Sequence, residues 1–223
     1  MQKFATAAPV SAVLDIPAGR VQLIAGDRED ATVEVLPADP SKSRDVKAAE
    51  LIEVAYADGV LRVVAAPAKN PVTGNSGFVD VTVQLPAGSH VEAKVAAAEL
   101  RGTGRLGDVV VEAAQGQVTL DETASARVSV QSGDVSLGRL AGPAEISTQK
   151  GAITIDEAAG GALTLNTQHG DITVGAARGV SATLNAGTGY GRIHNALQNS
   201  EGATAPLTID ATTGYGNITA RSV

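Results

Sequence analysis

The sequence predicts an all-β chain. A single-stranded parallel β-helix (β-solenoid) is expected over residues 89–223, with an N-terminal β-meander or sandwich-like region over residues 1–88 that caps it. Three observations predict this. A Gly-x-[Val/Ile]-x-aliphatic motif recurs through the second half. Aromatics are 2% of the 223 residues although 43% are hydrophobic, so a thin core filled by Val, Ile, Leu and Ala is expected in place of aromatic bulk. The 25 Gly and 9 Pro favour many turns over long helices.

In the first half, Val10–Ile16, Arg20–Ile24, Ala31–Leu36, Leu51–Ala55, Val60–Ala65 and Phe78–Leu85 read as strands. Turn signals stand between them at Pro17-Ala18-Gly19, Ala57-Asp58-Gly59 and Pro86-Ala87-Gly88. Asp39–Lys47 and Ala68–Gly77 read as polar loops. Residues 89–106 are expected to form a first, imperfect coil.

The motif then appears at Gly116, Gly133, Gly151, Gly170, Gly191 and Gly216, with spacings of 17, 18, 19, 21 and 25 residues. Before each glycine lies a short alternating strand anchored by Val111, Val128, Ile146, Leu165, Leu184 and Ile209. Two residues after it come Val118, Val135, Ile153, Ile172, Ile193 and Ile218. Next in line are Leu120, Leu137, Ile155 and Val174, after which the pattern decays to Asn195 and Ala220. One apolar and one polar face at period two is the pattern of a half-buried strand. A repeat this short cannot bury its aliphatic face alone, so equivalent strands of successive repeats are expected to stack in parallel. The loop Ala196–Pro206 accounts for the longest spacing.

Net charge is −7, which disfavours nucleic acid or an anionic membrane as a partner. Zero Cys removes disulfides, thiolate metal sites and thiol chemistry. No apolar run of signal-peptide length precedes Pro9, and none of about 18 residues occurs anywhere. A cytoplasmic protein without direct membrane insertion is therefore expected. Gly102-Thr103-Gly104-Arg105-Leu106-Gly107 spells a dinucleotide fingerprint, but a strand follows where the phosphate site needs a helix. Asp121-Glu122 and Asp156-Glu157 occupy the same turn two coils apart and read as solvated acids. His90, His169 and His194 show no ligand spacing, and His169 reads as a free surface position. No metal site and no cofactor are expected.

Tyr190 and Tyr215 fall at the same point of two coils, in Gly187-Thr188-Gly189-Tyr190-Gly191 and Thr213-Gly214-Tyr215-Gly216. They are expected to stack, with Arg192 and His194 nearby. These four residues are the candidate contact for a sugar ring or a partner side chain.

The strand Val81-Thr82-Val83-Gln84-Leu85-Pro86, feeding Gly-Asp-[Val/Ile] coils, resembles DUF4097, a bacterial family of “putative adhesin” proteins with β-strand repeats. The ending Gly214-Tyr215-Gly216-Asn217-Ile218-Thr219 is similar to the family's last coil. The resemblance covers most of the chain and implies a parallel β-helix. Many members of that family are membrane-tethered or exported. The expected function is non-enzymatic binding or scaffolding, with a protein or glycan as ligand. One alternative is a self-assembling, bactofilin-like element forming homo-oligomers end to end through the Leu207–Ala220 coil. The other is a carbohydrate-active lyase on a β-helix.

Overall fold

The computed structural model describes residues 1–6, 8–66 and 77–223; of the expected loop Ala68–Gly77, residues 68–76 lie outside them. The described residues are all-β apart from one α-helix and a 3-10 turn, and hydrogen bonds join seventeen strands into one open sheet.

In the second half the paired strands are β7 (His90–Gln115), β8 (Val118–Ser132), β9 (Val135–Leu140), β10 (Ala144–Lys150) and β11 (Ile153–Ala158). They continue through β12 (Gly161–His169), β13 (Ile172–Ala176), β14 (Ala182–Tyr190), β15 (Ile193–Ala196), β16 (Leu207–Tyr215) and β17 (Ile218–Ser222). All pair in parallel, in two ladders. One runs β7, β8, β10, β12, β16, β14. The other runs β7, β8, β9, β11, β13, β17, β15. Four of the expected anchors meet in register, Val111 on Val128, then Ile146 and Leu165, and that row continues through Ala211 and Ala186. The other two, Ile209 and Leu184, meet each other and Leu163, because they stand two residues further from their glycines. Asp121-Glu122 and Asp156-Glu157, expected in a turn, lie within strands β8 and β11.

The order of stacking departs from chain order. Strands β16 and β17, the last in the sequence, lie between β12/β13 and β14/β15. The expected terminal coil Leu207–Ala220 is therefore internal, and residues 182–196 form the end of the stack. The physical reason lies in the side chains. Leu207, Ile209, Ala211, Ile218 and Ala220 are all buried, as an internal repeat requires. Residues 182–196 put Asn195 in register with the buried Ala220, a polar side chain that an internal slot would leave unpaired. The long segment 197–206 lets the chain cross the outer repeat and return inside it.

The N-terminal end uses the same arrangement. Strand β2 (Ser11–Gly26) lies between β7 on one side and both β5 (Val60–Ala65) and β6 (Val79–Pro86) on the other, all in parallel. Hydrogen bonding thus runs straight through the expected boundary at residues 88/89. Outside them, β4 (Ile52–Ala57) lies antiparallel on β5, β3 (Asp30–Pro37) on β6, and β1 (Gln2–Ala5) on β3. The β4–β5 turn has Asp58 and Gly59 at φ 51° and 78°, the pair of positive angles a two-residue hairpin needs. Part of the expected loop Asp39–Lys47 is helix α1 (Ser43–Glu50). Its buried Asp45 accepts the Phe78 N–H at 3.0 Å, a contact 33 residues distant that local pattern does not reveal.

Candidate functional site

Strands β12, β16 and β14 end on His169, Tyr215 and Tyr190, each followed by a glycine at which the chain turns. Gly170, Gly216 and Gly191 have φ of 157°, 153° and 159°. A Cβ on Gly216 would fall 2.0 Å from the Gly170 oxygen, and one on Gly191 1.9 Å from the Gly216 oxygen. Only glycine allows these turns to stack so closely.

Side chains clamp the same turns. The Thr213 hydroxyl donates to the Gly170 carbonyl and the Thr188 hydroxyl to the Gly216 carbonyl, both at 2.9 Å. The Asn217 N–H donates to Asp171 Oδ1 at 2.7 Å, and the Arg192 N–H to Asn217 Oδ1 at 3.0 Å. The Gly-Asp of the motif is thus a bridge between neighbouring repeats.

On this fixed backbone the rings stack. Tyr190 and Tyr215 stand in register with centroids 4.9 Å apart and planes 6° apart. On its other side Tyr215 stacks on His169 at 5.0 Å and 12°. Parallel strands lie about 4.8 Å apart, so in-register rings meet at stacking distance. Tyr190 is 70% exposed and Tyr215 54%. The reading of His169 as a free position is corrected: in chain order it lies two repeats from Tyr215, but the inserted β16 puts the two side by side. The signal was its offset from the glycine, shared with both tyrosines.

Arg192 and His194 are exposed beyond the turn, with His194 in register with Thr219 on the second ladder. Among the described residues no side-chain hydrogen bond or ion pair holds either of them. The chain brings Tyr190, Tyr215 and His169 together and leaves Arg192 just before β15 and His194 on it.

An open groove of about 530 Å³ runs from His169 back along the stack, lined by Gln168, Lys150, Gln149, Ser132 and Gln131. Amides, a hydroxyl and an ammonium supply donors and acceptors beside aromatic faces.

The acids are dispersed. Glu157 pairs with Arg139 at 2.9 Å and Glu145 with Arg127 at 3.1 Å. Among the described residues no three His, Asp or Glu side chains are grouped as metal ligands. Carboxyls held below their ordinary range stand far from the rings in the sequence. The Ser41 hydroxyl and Lys42 hold Asp39 at about 2, and Lys3 and Arg28 hold Asp30 low. Gly102 and Gly104 lie within β7, where a Cβ on Gly104 would fall 2.1 Å from the Ala25 oxygen. Close packing, without a following helix, accounts for that glycine motif.

The family profile described as Toastrack DUF4097 matches residues 13–222. The chain belongs to the DUF4097 family. Among solved structures, this Toastrack chain is similar to a “putative adhesin” from Bacteroides fragilis. The two are 17% identical, with a TM-score of 0.63 over 98% of this chain and 95% of that one. A “putative cell adhesion protein” from Clostridium sporogenes matches at 14% identity and a TM-score of 0.34, over 100% of this chain and 98% of that one. The first likeness shows the fold alone. No curated protein matches the chain. Among the described residues no helix of the Toastrack chain is long and apolar enough to cross a membrane.

Proposed function

We propose that this Toastrack chain is a parallel β-solenoid that works as a non-catalytic binding scaffold, and that the His169–Tyr215–Tyr190 stack is its ligand contact. The solenoid reading is supported by the in-register parallel ladders, whose inward rows are mostly aliphatic. The observation that carries the binding reading is the stack of three rings continuous with the amide-lined groove. Five aromatics serve a chain of 223 residues, and two of them stand exposed in this one row. An aromatic face accepts the apolar face of a sugar ring or a partner's aromatic side chain. Gln168, Gln149 and Lys150 would hold the polar edges. The name “putative adhesin” on a structural relative agrees with a binding role. A glycan array probed with the full chain is the test. Binding of one oligosaccharide class is expected, and replacing Tyr190 and Tyr215 together by Ala should weaken it by about tenfold or more. Binding unchanged in that variant, or turnover of a bound glycan, would overturn the proposal.

A further inference from the structure

The two ends of the stack differ. At the N-terminal end β3 and β4 lie antiparallel on β6 and β5, and helix α1 packs against β3, β4 and β6. Charges occupy that margin: Lys3 reaches Asp30 at 2.7 Å, and Asp30 also meets Arg28. At the other end, among the described residues, β14 pairs only with β16 and β15 only with β17. The segment 197–206 covers just the start of this edge, where the Ala182 N–H donates to the Gln198 carbonyl at 3.0 Å.

The open end is also apolar and nearly neutral. Ile193 is 46% exposed, while its partners along the ladder, Ile218, Ile172, Ile153, Val135 and Val118, are 0–1% exposed. Leu184 is half-buried where its partners along the other ladder, Ile209, Leu163, Ala144 and Ala126, are buried. From Leu184 to Ala196 there is no Asp, Glu, Lys or Pro, and Arg192 is the one permanently charged side chain. Sheets ordinarily blunt an exposed edge with charge, proline or a bulge. This edge carries little such protection and ends in uncovered aliphatic rows.

We propose that the open end is a homodimer interface, at which β14 of one protomer pairs antiparallel with β14 of a second copy about a two-fold axis. A second copy supplies a neutral strand of equal length, the same uncovered isoleucine, and backbone groups that complement its own when reversed. Because a two-fold contact uses the same edge of both copies, association closes at two chains and does not grow into a filament. The interface does not depend on a ligand at the ring stack.

Sedimentation equilibrium of the full chain, from about 1 μM to about 1 mM, tests this. The mass is expected to rise from one to two chains of 22.3 kDa and to stop there. Ile193→Lys would place a charge in the interface, and should raise the dissociation constant by about tenfold or more. Leu36→Lys, at an exposed apolar residue of β3, should leave it unchanged. Hydrogen exchange on the unaltered protein decides the matter even if the Ile193 variant fails to fold: amides of Leu184–Thr188 should slow as concentration rises. A monomer throughout, growth beyond two chains, or concentration-dependent protection confined to β3 and β4 would overturn the proposal.

Discussion

Gly170 has a φ of 157°, and a Cβ there would lie 2.0 Å from the Gly151 carbonyl oxygen. The same near-contact recurs from Gly116 to Gly133, to Gly151, to Gly170, to Gly216 and to Gly191, so the glycine of each motif is a packing residue as much as a turn residue. Gly170→Ala must move a backbone carbonyl and adopt a strained angle, a cost of about 3 kcal/mol. Its urea midpoint is expected to fall accordingly, whereas Gly187→Ala, with nothing within 4 Å of the added carbon, should change little. Equal loss in both variants would contradict a glycine ladder. At this scale much of the chain was legible. Period-two alternation and recurrent glycines identified the inward faces, because burial selects them locally; the anchors meet as expected from Val111 to Leu165, whereas Ile209 and Leu184 fall one inward position away, on Leu163. His169 was not legible as a ring partner, since its neighbour Tyr215 is 46 residues away and reaches it only through the order of the repeats.

Strands β16 and β17 connect the two repeats on either side of them. Leu207 and Ile209 are 0% and 1% exposed, and they pair with Gly161 and Leu163 on one side and with Ala182 and Leu184 on the other. A chain ending after Pro206 should therefore lose more than its last repeat: residues 182–196 would have nothing to pair with. Amide exchange over 182–196 is expected to become fast while residues 118–158 stay protected. Persistent protection of 182–196 in that truncated chain would mean that β14 stacks directly on β12. The sequence pattern carried little of this order, because the repeats share nearly the same apolar face. Asn195 in an inward slot and the long segment 197–206 were the local signs that residues 182–196 form an end. Helix α1 escaped for a similar reason. Its one buried residue is Asp45, whose partner lies beyond the reach of local periodicity.

Across the whole molecule, strands are inserted out of chain order near both ends of the stack, β2 against β7 with β5 and β6 outside it, and β16/β17 against β12/β13 with β14/β15 outside them. The last strands of the chain are thereby buried on both margins, and an earlier repeat is left exposed. Pairings between strands so distant in sequence are slow to form, and they place the three rings in one row and set the open end at residues 182–196. The binding reading and the dimer both rest on this order. Because the chain contains no Cys, engineered disulfides can measure it directly. Thr164, Asp210 and Asn185 stand in register on β12, β16 and β14, with neighbours about 4.8 Å apart and the outer two about 9.6 Å apart, beyond the reach of a disulfide. Under mild oxidation, Thr164→Cys with Asp210→Cys is expected to cross-link fully, and Thr164→Cys with Asn185→Cys to stay reduced. Cross-linking of 164 to 185, with 164 and 210 remaining free thiols, would contradict the inserted repeat.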